Sequence, residues 1–247
     1  MKIVAIIPSR YESTRFPGKP LAPIAGRPLI QHVYNRVRQT PCLTDIAVAT
    51  DDQRIYEAVM GFGGNCVMTP PECRTGTDRA AEAARLMGLE PGDIIVNVQG
   101  DQPLITPETI EKTVAPLLSP VDFGVSTPIF AIDDESVINS GKNVKAVFDS
   151  GGFALYFSRS PIPFVRDQGT PVRIYKHLGV YAFSRRFLGL FASLPTGVLE
   201  DIEKLEQLRV LEYGYKIKVV ISAHDSPSVD LPEDIRDIES RIAAGEN

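Results

Sequence analysis

The sequence predicts an α/β fold with a parallel sheet at its core, helices on both faces and a β-rich insertion. Four short apolar runs rich in Ile and Val indicate strands that are buried on both faces, as in parallel sheets. Segments with helical spacing separate these runs, and such alternation is typical of a parallel sheet. The strand runs are KIVAIIP (2–8), DIAVAT (45–50), NCVMT (65–69) and DIIVNVQ (93–99).

Three helices are predicted between these strands. The first covers residues 29–37 and follows Pro28, a residue suited to the first helical turn. The second covers residues 55–60, where apolar side chains repeat at the same spacing. The third is the Ala-rich segment 77–87. The first half of the chain is therefore predicted to consist of alternating strands and helices, in the order βαβα.

The second half, from about residue 123, is rich in β-forming residues. FGVSTPIF, VKAVFD and FALYFS predict strands, and DSGG at 149–152 predicts a turn that joins the last two in a hairpin. Leucines at near-helical spacing predict one helix over 199–211, followed by the strand KIKVVISA and a last helix after Pro232. No long linker interrupts the chain, so we predict one domain over 1–247.

The composition is that of a globular enzyme without a general basic surface. The 247 residues include 26 basic and 31 acidic ones, a net charge of -5, which argues against binding to nucleic acid or anionic membranes. Three cysteines without CxxC spacing and three histidines argue against a zinc site or a disulfide framework. The apolar stretch 3–7 is too short for a signal peptide or a membrane span, so we expect a cytoplasmic protein.

Three cations follow the first predicted strand. Arg10, Arg15 and Lys19 occupy a loop at the carboxyl end of that strand, where α/β sheets bind ligands. The loop is not a Walker A loop, because Ser13 stands where that motif needs a glycine, and no G-x-G-x-x-G follows the strand. The cations predict a phosphate site built from side chains, and a solvated basic loop is the alternative.

Two carboxylates could complete such a site. Asp101 ends the strand in NVQGDQP, and a carboxylate beside phosphate-binding cations usually serves a divalent metal. Asp230, in SVDLPED, is available as its partner. The alternatives are a turn at Asp101 and a helix cap at Asp230.

Six segments together resemble the 3-deoxy-manno-octulosonate cytidylyltransferase family, also called CMP-Kdo synthetases, in order from residue 3 to about 238. They are PSRYESTRFPGKPLAPIAGRPLIQHV, NVQGDQP, ALYFSRSPIPF, YKHLGVYAF, IEKLEQLRVLEYG and VDLPEDI. The resemblance implies a nucleotidyltransferase-like fold and transfer of CMP from CTP to the anomeric hydroxyl of Kdo, with Mg²⁺, for lipopolysaccharide biosynthesis. It also implies that residues 1–120 bind CTP and that residues 121–230 bind the sugar and form a homodimer.

The resemblance implies roles for residues at matching positions. Those for the triphosphate are Arg10, Ser13, Arg15 and Lys19, of which Arg15 and Lys19 act in catalysis with Asp101. Those for the cytidine are Thr50, Asp51, Arg74, Thr75, Gly76 and Thr77. Those for the sugar are Gln99, Arg159, His177 and Glu206, and those for Mg²⁺ are Asp101 and Asp230. Taken alone, His177 also fits a structural histidine, and Glu206 a surface residue.

Two departures from the family pattern concern the substrate. Gln102 stands where the family commonly has Glu, and residues 75–79 read TGTDR where SGTER is usual. QGDQP resembles the branch of the family that uses 8-amino-Kdo, so Kdo and 8-amino-Kdo are both retained as candidate acceptors. A metal-dependent glycosyltransferase is a second hypothesis, which the absence of an Asp-x-Asp motif at Asp101 disfavours. A non-catalytic nucleotide-binding protein is a third.

A homodimer is the expected assembly. The β-rich half leaves strand edges and apolar faces to cover, and Phe148, Phe153 and Phe157 are the predicted members of such a face.

Overall fold

The computed structural model describes residues 1–12, 15–167 and 172–245. Ser13, which was predicted to bind the triphosphate, lies outside the described residues. The strands are β1 (Ile3–Ser9), β2 (Pro23–Ile24), β3 (Arg27–Pro28), β4 (Asp45–Thr50), β5 (Cys66–Met68), β6 (Ile94–Asn97), β7 (Val125–Ile132), β8 (Lys145–Phe148), β9 (Ala154–Ser158), β10 (Ile174–His177), β11 (Tyr181–Ser184) and β12 (Lys218–Ile221). The helices are α1 (Leu29–Val37), α2 (Gln53–Gly61), α3 (Gly76–Leu86), α4 (Pro107–Val114), α5 (Glu135–Asn139), α6 (Arg185–Ser193), α7 (Val198–Glu203), α8 (Gln207–Glu212) and α9 (Asp234–Ala243).

One mixed sheet contains ten of the strands in the described ranges. Its order is β5-β4-β1-β6-β11-β7-β10-β8-β9, and β12 pairs with β7. β5, β4, β1 and β6 are mutually parallel, so their carboxyl ends meet at one edge. The predicted α/β fold with a parallel core is confirmed, and the four apolar runs are its strands.

The core lies on both faces of this sheet. Alternate residues of β1 point to opposite faces, as the pleat of a strand requires. Ala5 and Ile7 pack in a cluster with residues of α1, α2, α4 and α9, whereas Val4 and Ile6 pack with residues of α3, α6 and α8. Helices therefore cover both faces, as predicted. None of the helices in the described ranges is long and apolar enough to cross a membrane.

The predicted hairpin of the second half is confirmed. β8 and β9 are antiparallel, and the Gly152 N–H closes the turn on the Asp149 carbonyl at 2.9 Å. The predicted apolar face is wrong in part, because Phe157 is fully buried between the sheet and its helices. Phe148 and Phe153 are half-buried and make edge-to-face contacts with Tyr175 and Phe123, respectively, of the same chain.

The single helix predicted over 199–211 is wrong, because the structure has two short helices. α7 ends at Glu203, and the next residue, Lys204, has a left-handed φ of 54°, a conformation that stops a helix. A buried ion pair of 2.5 Å between Glu200 and Arg209 joins α7 to α8. The break sets the direction of residues 204–206, which include Glu206, one of the residues predicted for the sugar.

Candidate active site

Three adjoining cavities lie at the carboxyl ends of β1 and β6. The largest, about 490 Å³, is lined by all four residues predicted for the sugar, Gln99, Arg159, His177 and Glu206, and is named the sugar cavity after that prediction. The second, about 350 Å³, is lined by Arg10, Arg15 and Lys19, is named the cationic cavity, and shares Arg15, Gln99 and Asp101 with the first. The third, about 440 Å³, is lined by Arg10, Arg74, Thr75 and Gly76 and shares Lys204 and Glu206 with the first.

The predicted cations and carboxylates meet where the first two cavities join. The Lys19 ammonium donates to Asp101 Oδ2 at 2.6 Å and to the Val229 carbonyl at 2.9 Å. Arg15 pairs with Asp230 Oδ1 at 3.4 Å. The Val229 N–H donates to the Asp101 carbonyl at 2.9 Å, so the segment with Asp230 is fixed beside the end of β6. Residues 15, 19, 101 and 230 therefore form one charged cluster.

Asp230 is not the cap of α9. The N-cap is Glu233, and the carboxylate of Asp234, the first residue of α9, accepts from the backbone N–H groups of Asp230 and Leu231 at 2.7 and 2.9 Å. The Asp230 carboxylate instead pairs with Arg15 at 3.4 Å and Lys142 at 3.9 Å and accepts from the Ser228 hydroxyl at 3.2 Å. It therefore belongs to the charged cluster.

The donor set of this cluster fits Mg²⁺. Across the described ranges, no group of three or more His, Cys, Asp or Glu side chains could hold a metal ion. Mg²⁺ is usually bound by one or two carboxylates together with substrate phosphates and water. Asp101 and Asp230 supply two carboxylates, and Lys19 and Arg15, which neutralise them here, are also the cations that a triphosphate would attract.

The residues predicted for the cytidine fall into two groups. Thr75 caps α3 and reaches the third cavity with Gly76. Thr50, Asp51 and Thr77 line none of the three cavities. Thr50 accepts from the Asp52 N–H at 3.2 Å, and Thr77 accepts from the Asn97 side-chain amide at 3.1 Å. Their hydroxyls therefore act within the protein framework beneath the site.

Gly76 lies close to the end of β1. A Cβ at this position would lie 3.3 Å from the Pro8 ring, a tight contact, and 3.5 Å from Gln99 Oε1, an ordinary one. A larger residue would therefore require a small shift of the Pro8 ring or of the first turn of α3.

His177 is neutral and has a defined tautomer. The Thr127 hydroxyl donates its single proton to the Val180 carbonyl at 2.6 Å, so at its 2.8 Å contact with His177 Nε2 it can only accept. Nε2 therefore carries the ring proton, and Nδ1 is an acceptor. Burial lowers the pKa of His177 from 6.5 to about 3. The side chain is thus a structural histidine and also lines the sugar cavity.

Two glutamine amides have fixed orientations in the same cavity. Gln99 Nε2 donates to the Gly179 carbonyl at 3.3 Å, and Gln102 Nε2 donates to the Leu178 carbonyl. A carbonyl can only accept, so each amide nitrogen is identified and each Oε1 is left as an acceptor. Gln102 Oε1 is buried and has no hydrogen bond among the described residues. The cavity therefore presents acceptors that a ligand must satisfy with donors.

Arg159 reaches the cavity with part of its donors in use. Its guanidinium donates to the carbonyls of Glu203 at 2.8 Å, Gly141 at 3.0 Å and Lys204 at 3.4 Å. A guanidinium has five N–H donors, so two remain for a ligand. Two donors match the needs of one carboxylate.

Glu206 stands at the boundary between the sugar cavity and the third cavity. Burial raises the pKa of its carboxyl, and the hydroxyls of Thr75 and Thr77 lower it by a smaller amount. Oε2 is buried and has no hydrogen-bond partner in the described part of the chain. Glu206 is therefore not the surface residue that its helical pattern alone would suggest.

Comparison with known proteins identifies the family. The sequence model described as cytidylyltransferase matches residues 4–217. A 3-deoxy-manno-octulosonate cytidylyltransferase of Desulfosudis oleivorans is 65% identical over 99% of this chain and 98% of its own. The chain belongs to the cytidylyltransferase family. The resemblance stated from the sequence motifs is confirmed.

Two further relatives bear on the fold and on the acceptor. An 8-amino-3,8-dideoxy-manno-octulosonate cytidylyltransferase of Shewanella piezotolerans is 57% identical over 98% of this chain and 99% of its own. A solved CMP:2-keto-3-deoxy-manno-octonic acid synthetase complexed with CTP is 38% identical, covers 99% of this chain and 100% of its own, and has a TM-score of 0.91. Relatives of this chain thus carry the names of both sugars.

Several residues of the site were missed by the sequence analysis. Lys142, Lys176 and Lys204 also line the sugar cavity, and Lys176 precedes His177 in the motif YKHLGVYAF. Arg79 is fully buried and holds Asp51 at 2.7 Å and the Thr69 hydroxyl at 2.5 Å. The sequence feature that could have indicated Arg79 is its position in TGTDR (75–79), directly after Asp78, because this stretch departs from the family pattern.

Proposed function

We propose that this chain transfers CMP from CTP to the anomeric hydroxyl of a Kdo-type eight-carbon acidic sugar and releases pyrophosphate, in lipopolysaccharide biosynthesis. The observation that carries the proposal is the cluster of Lys19, Arg15, Asp101 and Asp230, which joins a cationic cavity to a larger cavity with fixed acceptors. The names of the relatives support the same chemistry.

The mechanism requires no covalent nucleophile. Attack on the α-phosphate spreads charge over phosphate oxygens and the departing pyrophosphate, so positioning and cations supply most of the catalysis. Lys19 and Arg15 neutralise pyrophosphate, and the two spare donors of Arg159 bind the sugar carboxylate. The acceptors of Gln99, His177 and Glu206 orient the sugar hydroxyls.

Mg²⁺ is the proposed cofactor, held by Asp101 and Asp230. When bound, it supplies Lewis acidity and lowers the pKa of an oxygen that it contacts. The ion pairs of these carboxylates with Lys19 and Arg15 keep the site assembled before the substrates bind.

One assay separates this function from its alternatives. The protein is incubated with CTP, Mg²⁺ and either Kdo or 8-amino-Kdo, and pyrophosphate is measured. Release that requires the sugar is the expected result. Release without a sugar would indicate a nucleotide hydrolase, and no release with either sugar would contradict the proposal and favour a glycosyltransferase or a nucleotide-binding protein.

Lys19→Ala is expected to lower kcat by about 100-fold, because it removes a cation that stabilises the leaving pyrophosphate. Arg15→Ala is expected to cost less, about tenfold, since the Arg15 side chain is 66% exposed. Steady-state kinetics measure both effects, and thermal unfolding checks that the variants are folded. Normal kinetics in folded variants would remove the loop from the triphosphate site.

We propose that 8-amino-Kdo is used better than Kdo. Gln102 Oε1 and Glu206 Oε2 are buried acceptors to which no described residue donates, and an ammonium supplies three donors where a hydroxyl supplies one. The ratio of kcat/KM for the two sugars, at one CTP and Mg²⁺ concentration, is expected to favour the amine by about tenfold. A preference for Kdo would overturn the amine assignment and leave the cytidylyltransferase proposal standing.

We also propose a cytoplasmic homodimer. Leu155 on β9 and Val198 and Ile202 on α7 are 62%, 71% and 73% exposed. A 2.6 Å hydrogen bond from Ser158 to Glu203 joins β9 to α7, and exposed apolar side chains on these two elements are surface that a second copy could cover. Sedimentation at micromolar concentration is expected to show a dimer, and a monomer alone would contradict the proposal.

A further inference from the structure

Lys145 on β8 is a fully buried lysine, and every partner of its ammonium in the described part of the chain is a backbone carbonyl. Its relative exposure is 0%. The three protons go to the carbonyl oxygens of Ser140 at 2.9 Å, Asn143 at 2.6 Å and Arg159 at 2.6 Å. An ammonium has three donors and no acceptor, so its hydrogen-bonding capacity is filled. None of these bonds goes to a carboxylate.

A buried cation in this setting is costly. Burial lowers the pKa of Lys145, the positive charge of Arg159 lowers it further, and Glu203 opposes both. An apolar residue at this position of β8 would avoid that cost. The placement of a lysine is therefore better explained by what its three bonds hold in place.

The three carbonyls belong to two segments that form one wall of the sugar cavity. The first is residues 140–143, between α5 and β8, which bring Lys142 and Asn143 to the cavity. The second is Arg159, directly after β9. Lys145 lies on the strand between these segments and bonds both. It therefore fixes the distance from the 140–143 loop to the backbone of Arg159.

The side chain of Arg159 depends on the same wall. Its guanidinium donates to the Gly141 carbonyl within the loop that Lys145 holds. Its backbone N–H donates to Glu203 Oε2 at 3.0 Å, and its other donors reach the carbonyls of residues 203 and 204. A shift of the loop or of the Arg159 backbone would redirect the two donors that remain for a ligand.

We propose that Lys145 is a positioning residue for the acidic sugar, which acts by holding Arg159 and the 140–143 loop in the geometry that binds the sugar carboxylate. This inference rests on the proposed function. Lys145 does not line the cavity, so it acts only through the groups that it bonds. A small displacement of a binding group is enough to weaken a two-donor contact with a carboxylate.

A double-mutant cycle tests this role. The variants are Lys145→Met, Arg159→Ala and the double variant, and the measurements are KM for sugar, KM for CTP and kcat. Lys145→Met is expected to raise the sugar KM by about tenfold while the CTP KM and kcat at saturating sugar stay within about twofold. The double variant is expected to match Arg159→Ala alone, because Lys145 acts through Arg159.

Lys218→Met is the control, at a strand lysine that is half-buried. Lys218 also lies on a strand, and its ammonium donates to a backbone carbonyl, that of Gly151, at 2.5 Å, but it lines none of the three cavities of the site. Its replacement is expected to leave the sugar KM unchanged. If Lys145 only stabilised the fold, Lys145→Met would lower the unfolding temperature and the active fraction and leave both KM values alone, which overturns the proposal.

Two outcomes keep the test decisive. Additive effects of Lys145→Met and Arg159→Ala on the sugar KM would overturn the inference, and so would a normal sugar KM in Arg159→Ala, even if Lys145→Met did not fold. A wild-type protein that releases no pyrophosphate with either sugar would instead overturn the proposed function. The two failures are therefore distinguishable.

Discussion

Asp101→Asn is expected to lower kcat by about 100-fold or more, the largest effect of any single substitution in the site. Asp101 lies in the turn that follows β6, a central strand of the sheet, and contacts Lys19 at 2.6 Å, at the junction between the cationic cavity and the sugar cavity. The amide keeps the size of the side chain and removes its charge. Binding of Mg²⁺ and pairing with Lys19 are both weakened.

Asp78→Asn is the comparison for this result. Asp78 accepts from the Thr75 N–H at 3.2 Å in the α3 capping box, and an amide oxygen can keep that bond. We expect this variant to lose no more than about a few-fold in kcat. Activity is titrated with Mg²⁺ in both variants. Equal losses, or an unchanged Mg²⁺ requirement in Asp101→Asn, would remove Asp101 from the metal.

The parallel core could be predicted because its signal is local. Runs of Ile and Val mark strands buried on both faces, and the alternating packing of Val4, Ala5, Ile6 and Ile7 shows why polar residues are excluded there. The positions of Lys19 and Asp101 at one edge also followed from the rule that parallel strands end together. The direct contact between Lys19 and Asp101, which are 82 residues apart in the sequence, could not be predicted because it depends on the path of the loop that carries Lys19.

The break between α7 and α8 could not be read from periodicity. Leu205 and Leu208 are buried, as a helical pattern requires, and the same spacing continues through Lys204. The left-handed φ of Lys204 leaves no trace in that pattern, since glycine or asparagine is the usual residue there. The pair of Glu200 with Arg209 across the break is a tertiary contact that the sequence does not announce.

Buried cations are the second feature that could not be predicted from the sequence. Arg79 and Lys145 are fully buried, whereas composition rules place such residues on the surface. Each is bound by groups brought together by folding, which are Asp51 and Thr69 for Arg79 and three carbonyls for Lys145. Arg79 Nε has no hydrogen-bond partner among the described residues. A sequence shows the cation but not the acceptors that make its burial possible.

His177 is expected to make the folded protein sensitive to acid. Burial lowers its pKa from 6.5 to about 3, so between these values the unfolded chain binds a proton that the folded protein does not. The stability that His177 contributes is full above pH 6.5 and is lost as the pH falls toward 3. Between pH 7 and pH 4 the loss in the free energy of unfolding is about 3 kcal/mol, at about 1.4 kcal/mol per pH unit below 6.5.

His177→Gln isolates this contribution, because it removes the titrating ring. The variant is expected to be less stable than the wild type at pH 7, because the ring packs against Phe157 and Tyr181. When the pH is lowered from 7 to 4, however, its free energy of unfolding is expected to fall by about 3 kcal/mol less than that of the wild type. His224→Gln, at a half-exposed histidine, is expected to retain the wild-type slope because His177 is still present. Urea unfolding at a series of pH values measures both. Parallel pH curves for wild type and His177→Gln would mean that the ring is not held neutral, and Nδ1 would then be a donor to the sugar instead of an acceptor.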